Sequence, residues 1–379
     1  MALILTYRRF KGKTVVLTSQ KGTLVNLAKM VANHSIKLEN HEKVMCFDYV
    51  IMYPVGWGRI LNNAKIIRAA KSLPNALTVL VDHTSEATQL KKQAHAYVAL
   101  IQKNRMKPKT KSKTLFVSSN LSLAKGNPKT IPYFNSLLYS CTISSKIPRA
   151  TIHPPNQMRF LLLGGFPRAS KTLVLASACL RGWLDNTFFC WSAGRITDVL
   201  PSYCLETTQK NLAKGMVQLR AKLPRYIDIS SDNKKLTKPM MFNPRLYAMG
   251  RFHIVLETEI TNGSVIRVTE KTFKCFLARV PFVVFGNPRT LQLLRSMGFK
   301  TFHPIINEKY DQIMDPLERV DCLLKEIDRW VLMTESEFTE KLNAVRWIVA
   351  FNYRVAIRLS THVHYLNNLF NRLSKQLRA

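Results

Sequence analysis

The chain has 379 residues, 57 Lys plus Arg against 23 Asp plus Glu, and a formal net charge of +34. That length can bury two cores, and 46% hydrophobic residues exclude a disordered chain. Seven Cys without a Cys-x-x-Cys pair argue against a disulfide framework and a zinc site, and for a reducing compartment.

The opening stretch, "MALILTYRRFKGK", is too short in its apolar part for a signal peptide. No apolar run reaches the ~18 residues of a transmembrane helix, so a cytoplasmic protein is expected. "KTVVLTS" reads as a strand, as does part of "KVMCFDYVIMYPVGWG" at 43–58. "ALTVLVDHTSEATQLKKQAHAYVALIQ" reads as a strand, a turn at Asp82 to Ser85, and an amphipathic helix. "KTLFVSSN" at 113–120 is a further strand. Strands alternating with helices predict a parallel sheet. Between Glu86 and Asp185 there is no acidic residue. Such a surface attracts polyanions or an anionic membrane surface non-specifically, or is simply a solvated face. The run "KNRMKPKTKSK" at 103–113 contains Pro and no periodicity and reads as a loop.

"KIPRATIHPPNQ", 146–157, reads as a linker between an N-terminal domain, 1–150, and a second domain, 158–333. In the latter, "RFLLLG" is a strand, and Ser170 to Arg181 a helix closed by Gly182. "TFFCWS" and "FHIVLE" are strands. "VTEKTFKCFLARV" is a helix with Thr269 as N-cap and Phe273, Phe276 and Leu277 on its buried face. "PFVVFG" is a buried strand. Asn287-Pro288 should open a helix with Pro at N1, closed by Gly298. "KTFHPII" should be a short last strand. Residues 334–379 should be helices packing across both domains. The fold expected is α/β, with two Rossmann-like domains and a C-terminal helical segment.

Two stretches in this second domain can carry chemistry. Gly165 to Thr172 approaches a P-loop, but Ser170 stands where Gly should precede Lys, and Pro167 removes a backbone donor. What remains is a strand-to-helix turn that aims Arg168, Lys171 and a helix N-terminus at one spot, which suits a diphosphate; the alternative is an ordinary βα turn. In the second stretch Glu257 ends a strand, where ligand crevices of open α/β sheets form. Glu270 and Lys271 open the following helix, and Lys274 shares the face of Lys271. A Glu can accept from ribose hydroxyls while a Lys faces phosphates; alternatively both are ordinary helix-terminus charges.

"ETE…VTEKTFKCFLARVPFVVFGN" resembles the donor-side motif of the α-1,3-fucosyltransferases. "RFLLLGGFPRASKTLVLASACLRGWLD", "GFKTFHPIINEKYDQIMDPLERVDCLLKEI" and "AFNYR" resemble related phage and giant-virus proteins. The resemblance covers roughly residues 158–355. It implies a GT-B glycosyltransferase that holds a nucleotide sugar, such as a GDP-sugar, with Glu270 at the ribose, Lys271 and Arg168 at the phosphates, and Glu257 lining the pocket. Thr269 and Lys274 belong to the same motif. If the chain is virus-encoded, it would act in the host-cell cytoplasm or the virion. Ile266-Arg267-Val268 replaces the usual residues before Thr-Glu-Lys, which leaves the sugar open.

No Asp-x-Asp occurs in the chain, so a transferase built this way should work without a metal and without a bound cofactor beyond its sugar nucleotide. The base that accepts the acceptor's hydroxyl proton is expected from the first domain, at Asp82, His83 or Glu86; Asp82 or Ser85 could equally be a helix cap. The acceptor, a glycan, a protein or another hydroxyl compound, is open. Two other readings stand beside this one: a basic nucleic-acid-binding protein on a Rossmann scaffold, and a degenerate P-loop NTPase.

Overall fold

In the computed structural model the described residues are 6–10, 13–17, 49–55, 77–82, 114–118 and 130–132, given as backbone strands, and most of 158–360: 158–164, 168–191, 201–204, 206–222, 242, 244–263 and 265–360. The chain divides into two compact units, residues 1–136 with 362–379, and residues 137–361.

The first unit holds a six-stranded sheet. Its strands are β1 (Thr6–Phe10), β2 (Lys13–Leu17), β3 (Tyr49–Val55), β4 (Leu77–Asp82), β5 (Thr114–Ser118) and β6 (Thr130–Pro132). The order is β1-β2-β3-β4-β5-β6. β1 and β2 pair antiparallel, from Thr6 opposite Leu17 to Phe10 opposite Lys13, and every later pair is parallel. Strand order follows chain order without a reversal, so these strands lack the switch point of a doubly wound sheet. The Rossmann-like expectation is therefore corrected for this half. The hairpin explains part of the difference: β1 occupies the edge beside β2, so every parallel strand adds on the other side.

The second unit has a parallel four-stranded sheet in the order β10-β9-β7-β8. Its strands are β7 (Met158–Gly164), β8 (Thr187–Trp191), β9 (Gly250–Leu256) and β10 (Phe282–Phe285). β7 and β9 are central and carry near-continuous apolar runs, as strands covered on both faces must. Phe160 and Phe252 are fully buried and meet edge to face, with centroids 6.1 Å apart. The chain leaves β7 toward β8, then returns to β7's other side with β9 and continues to β10. The order therefore reverses between β7 and β9, and this half is doubly wound.

Helix α1 (Ala169–Leu180) follows β7, and α2 (Glu206–Ala221) packs against it. Gly182, at φ 69°, takes the left-handed conformation that ends α1, as its position in the sequence predicted. The short α3 (Pro244–Tyr247) precedes β9, and α4 (Glu270–Ala278) leads from β9 to β10. α5 (Thr290–Ser296), α6 (Pro316–Val331), α7 (Glu335–Ala344) and α8 (Arg346–Ser360) follow. α8 lies on α4. Up to residue 360 the last helices belong to the second unit; residues 361–379, expected to pack across both domains, lie outside the described residues. The linker 146–157 does too.

Two sequence expectations are corrected here. Pro288 does not open α5. The Asn287 side chain accepts from the Thr261 amide at 2.7 Å and from its hydroxyl at 2.9 Å, which stitches this segment to the loop after β9. Arg289 then turns left-handed at φ 63°, and the helix starts at Thr290. Its cap comes from 20 residues away: Asp311 accepts from the Leu291 and Gln292 amides at 2.8 and 3.0 Å. "KTFHPII" is not a strand either. Phe302 C=O accepts from the amides of Ile305 and Ile306, both at 2.9 Å, and so closes a turn around Pro304.

Candidate functional site at the sheet reversal

Open α/β sheets bind ligands at the carboxyl ends of their strands where the order reverses. Here that point lies between β7 and β9, and the starts of α1 and α4 follow those two strands. The sequence candidates of the second unit gather there.

Glu257 stands one residue past β9 and is 4% exposed. One carboxylate oxygen accepts from the Thr269 amide at 3.1 Å and from the Thr272 hydroxyl at 2.6 Å; the other accepts from the Thr269 hydroxyl. A buried carboxylate demands such donors. It ties the first turn of α4 to the end of β9. The carboxylate that the sequence reading put at the donor pocket thus also holds the start of α4.

Thr269 is the N-cap, as expected, with its hydroxyl accepting from the Lys271 amide at 3.4 Å. Lys271 Nζ donates to Glu270 Oε1 at 3.0 Å, to Thr258 Oγ1 at 3.2 Å and to Thr269 Oγ1 at 3.3 Å. Burial pushes the Glu270 carboxyl up, but Lys271 and Lys274 outweigh it and hold it below the usual range. Lys274 is 7% exposed, so it is no solvated surface charge. Phe273, Phe276 and Leu277 are buried on the other face, and Phe276 stacks on Phe299 with centroids 4.0 Å apart.

Arg168 is the N-cap residue of α1, whose first turn has no side-chain cap and no acidic residue. Lys171, in that turn, is 4% exposed. Its pKa is lowered to about 8, by burial first and then by the charges of Lys271 and Arg168; Glu270 and Glu257 act the other way. Lys171 is thus near enough to feel the charges of Lys271, Arg168, Glu270 and Glu257. The Thr172 hydroxyl beside Lys171 is fully buried and has no hydrogen-bond partner. The P-loop-like stretch thus delivers a buried cation to the same place as the Glu270-Lys271 pair.

Thr258 and Thr272 belong to the site and were not singled out from sequence. The only signal for Thr258 was its place between two Glu in "ETE". In the first unit Asp82 is the last residue of β4, opposite Val55 of β3, at the carboxyl end of a parallel strand. His83 and Glu86 lie outside the described residues. Among the described residues no group of three His, Cys, Asp or Glu is placed to hold a metal ion, and no helix is long and apolar enough to cross a membrane.

No protein-family model and no curated protein matches the chain. Among solved structures, spinosyn rhamnosyltransferase SpnG complexed with thymidine diphosphate aligns with 13% identity over 90% of this chain and 74% of its own, at a TM-score of 0.34. Spinosyn rhamnosyltransferase SpnG on its own aligns with 12% identity over 89% and 79%, at 0.33. Likenesses at this level do not establish a shared fold. The geometry of the site has to carry the functional reading.

Proposed function

We propose that the cluster at the β7/β9 reversal is the donor site of a glycosyltransferase, which moves a sugar from a nucleotide sugar to an acceptor hydroxyl. One observation carries this reading: a buried Lys171 and Arg168, at a helix start without acidic residues, stand beside Glu270 and Lys271 where an open α/β sheet binds ligands.

The chemistry follows from charge. As the glycosidic bond to the diphosphate breaks, negative charge grows on the leaving phosphate. Arg168 and Lys171 stabilise that charge, together with the positive end of α1. Lys271, steadied by Thr258, Thr269 and Glu270, adds a positioned ammonium. Glu270 has acceptor capacity beyond the Lys271 bond and suits a ribose hydroxyl. The reading includes a GT-B arrangement and metal independence, since cations on the chain take the role a divalent ion would play. The base would come from the first unit, where Asp82 ends a parallel strand. A GDP-linked fucose-type sugar is the finer form of the proposal and rests on the sequence resemblance of "VTEKTFKCFLARVPFVVFGN".

The test is a thermal-shift panel of nucleotide sugars in EDTA. A true donor at ~100 times its Kd stabilises the protein by about 2.7 kcal/mol. Its sugar should then be released or transferred without added metal. No stabilisation by any nucleotide sugar, alongside salt-dependent binding of DNA or RNA, would replace this reading with nucleic-acid binding. Mg²⁺-dependent ATP hydrolysis lost in Lys171→Met would replace it with an NTPase.

A further inference from the structure

Among the described residues two other than glycine take the left-handed backbone conformation, Arg279 at φ 57° and Arg289 at φ 63°. That conformation crowds the Cβ of an L-residue. The side chain of Arg279 has a visible use: it ends α4 at the surface, and its guanidinium lies over the Tyr353 ring, 3.9 Å from the centroid. Arg289 has no such use. It is half-buried, yet among the described residues its guanidinium makes no hydrogen bond, ion pair or ring contact.

The backbone around Arg289 is held from several sides. Gly286 C=O accepts from the buried Arg319 guanidinium at 3.0 Å, the Asn287 side chain accepts from Thr261, and the Arg289 amide donates to the Asp311 carbonyl at 2.7 Å. Asn287-Pro288-Arg289-Thr290 follows the type II turn pattern, with Pro second and a positive-φ residue third, where Gly is preferred. None of these bonds uses the Arg289 side chain, and a glycine would keep all of them with less strain. Backbone strain that its surroundings hold in place clusters at ligand-binding sites. This turn follows β10, whose Phe285 carbonyl accepts from the Glu257 amide at 2.9 Å. It therefore borders the carboxyl end of the sheet, on the side of β9 away from β7.

We infer that Arg289 receives the nucleobase of the donor. The inference rests on the donor-site reading and adds the residue that selects the base. In that reading the diphosphate lies at Lys171, after β7, and the ribose at Glu270, which opens the helix between β9 and β10. Neighbouring strands are about 4.8 Å apart, so a nucleoside continuing in that direction comes to the end of β10 and the turn after it. A guanidinium offers a rigid, permanently charged fork of N–H donors. The fork matches a base edge with two adjacent acceptors, such as O6 and N7 of guanine. Adenine sets an amino donor beside its N7 and matches poorly. Because the turn is already braced, binding has little backbone left to order.

The test is calorimetry of the whole chain with GDP, ADP, UDP, dTDP and inorganic pyrophosphate, on wild type, Arg289→Gly and Arg289→Lys, with denaturation midpoints measured alongside. Wild type should bind GDP more tightly than ADP. Arg289→Gly should lose affinity for GDP by roughly ten- to a hundredfold, lose least for ADP, and hold pyrophosphate as wild type does. Its midpoint should equal or exceed that of wild type, because glycine relieves the turn. Arg289→Lys keeps the charge without the fork and should lose the preference for GDP over ADP. Unchanged nucleotide affinities in Arg289→Gly, or a wild type that binds ADP as well as GDP, would overturn the inference and leave the donor site standing. Equal losses for all four nucleotides, or a matching loss for pyrophosphate, would overturn it too, by moving Arg289 from base to phosphates. A midpoint below that of wild type would make the side chain a part of the fold and overturn it as well. No binding of any probe by the folded wild type would remove the donor site, and the inference with it.

Discussion

Two helix starts meet at the same reversal of the sheet, and they are built in opposite ways. α4 is closed by its own neighbourhood: Thr269 caps it, Glu257 ties its first turn to β9, and Glu270 is paired with Lys271. α1 begins at Arg168 with no side-chain cap, no acid in its first turn and a buried Lys171. The first arrangement is what stability requires of a helix end. The second places basic side chains at a helix start that no side chain caps. Under the donor-site proposal the first end serves structure and the second the ligand, which moves weight from Lys271 to Lys171.

Substitutions on the two ends should therefore differ in kind. The largest loss of stability is expected from Phe276→Ala on the buried face of α4: about 3–5 kcal/mol by chemical denaturation, with nucleotide affinity kept wherever the protein is folded. Glu257→Ala comes next. It strands the hydroxyls of Thr269 and Thr272 and an amide, and should cost ~3 kcal/mol; if stability were unchanged and only ligand binding fell, the carboxylate would act on the ligand and not on the helix.

A titration of stability sharpens the same contrast. His253 on β9 is fully buried, and burial lowers its pKa to about 4, against hydrogen bonds to Tyr247 and Gly250 that act to raise it. Its Nε2–H donates to the Tyr247 carbonyl at 3.0 Å, so Nδ1 is left to accept from the Cys275 thiol of α4 at 3.4 Å. The folded pKa lies below the unfolded value of about 6.5, so the neutral ring's contribution is complete above pH 6.5 and is lost as pH falls toward 4. Denaturation curves should show on the order of 3 kcal/mol less stability at the acid end. His253→Gln should flatten that slope.

The smaller effects fall on the ligand. Lys171→Met should weaken nucleoside diphosphate binding by roughly ten- to a hundredfold. At pH 7 the same change should make the ligand-free protein more stable, because it removes a buried cation whose folded pKa lies below the unfolded one. Lys271→Ala should reduce affinity by about tenfold or less, since it also frees Glu270. Should Lys271→Ala prove the more damaging of the two for binding, the contrast between the helix ends would be reversed.

The contrast also shows what a sequence can disclose. Thr269 as cap, Gly182 and Gly298 as helix stops and the apolar face of α4 were legible because each is a local rule: a hydroxyl before a helix, a residue free to take positive φ, a period of 3.6. Gly298 indeed sits at φ 90°. The strands of the second unit were legible as apolar runs. What escaped depends on distant partners. Asp311 caps α5 from 20 positions downstream, which made Pro288 look like the start. The carboxylate of Glu257 finds donors 12 and 15 residues ahead. That Lys171 is buried depends on its surroundings in the fold, and no local pattern reports it. The order of strands in the first unit is likewise set by pairing choices that alternation of strand and helix does not record.

Arg319 of α6 gives a last consequence. It is 1% exposed, and its guanidinium donates to the carbonyls of Gly286, Ile313, Met314, Asp315 and Thr261. It thus binds the loops after β9 and β10 to the segment before its own helix. Dissolved ions do little to a cation surrounded by backbone carbonyls inside a protein, whereas exposed pairs such as Lys325–Asp321 fade as salt is added. If polyanions adhered to a chain of net charge +34, strong salt would be needed to strip them off. The brace at Arg319 means that the loops bordering the site should come through such a purification in their native arrangement, ready for ligand once the salt is removed.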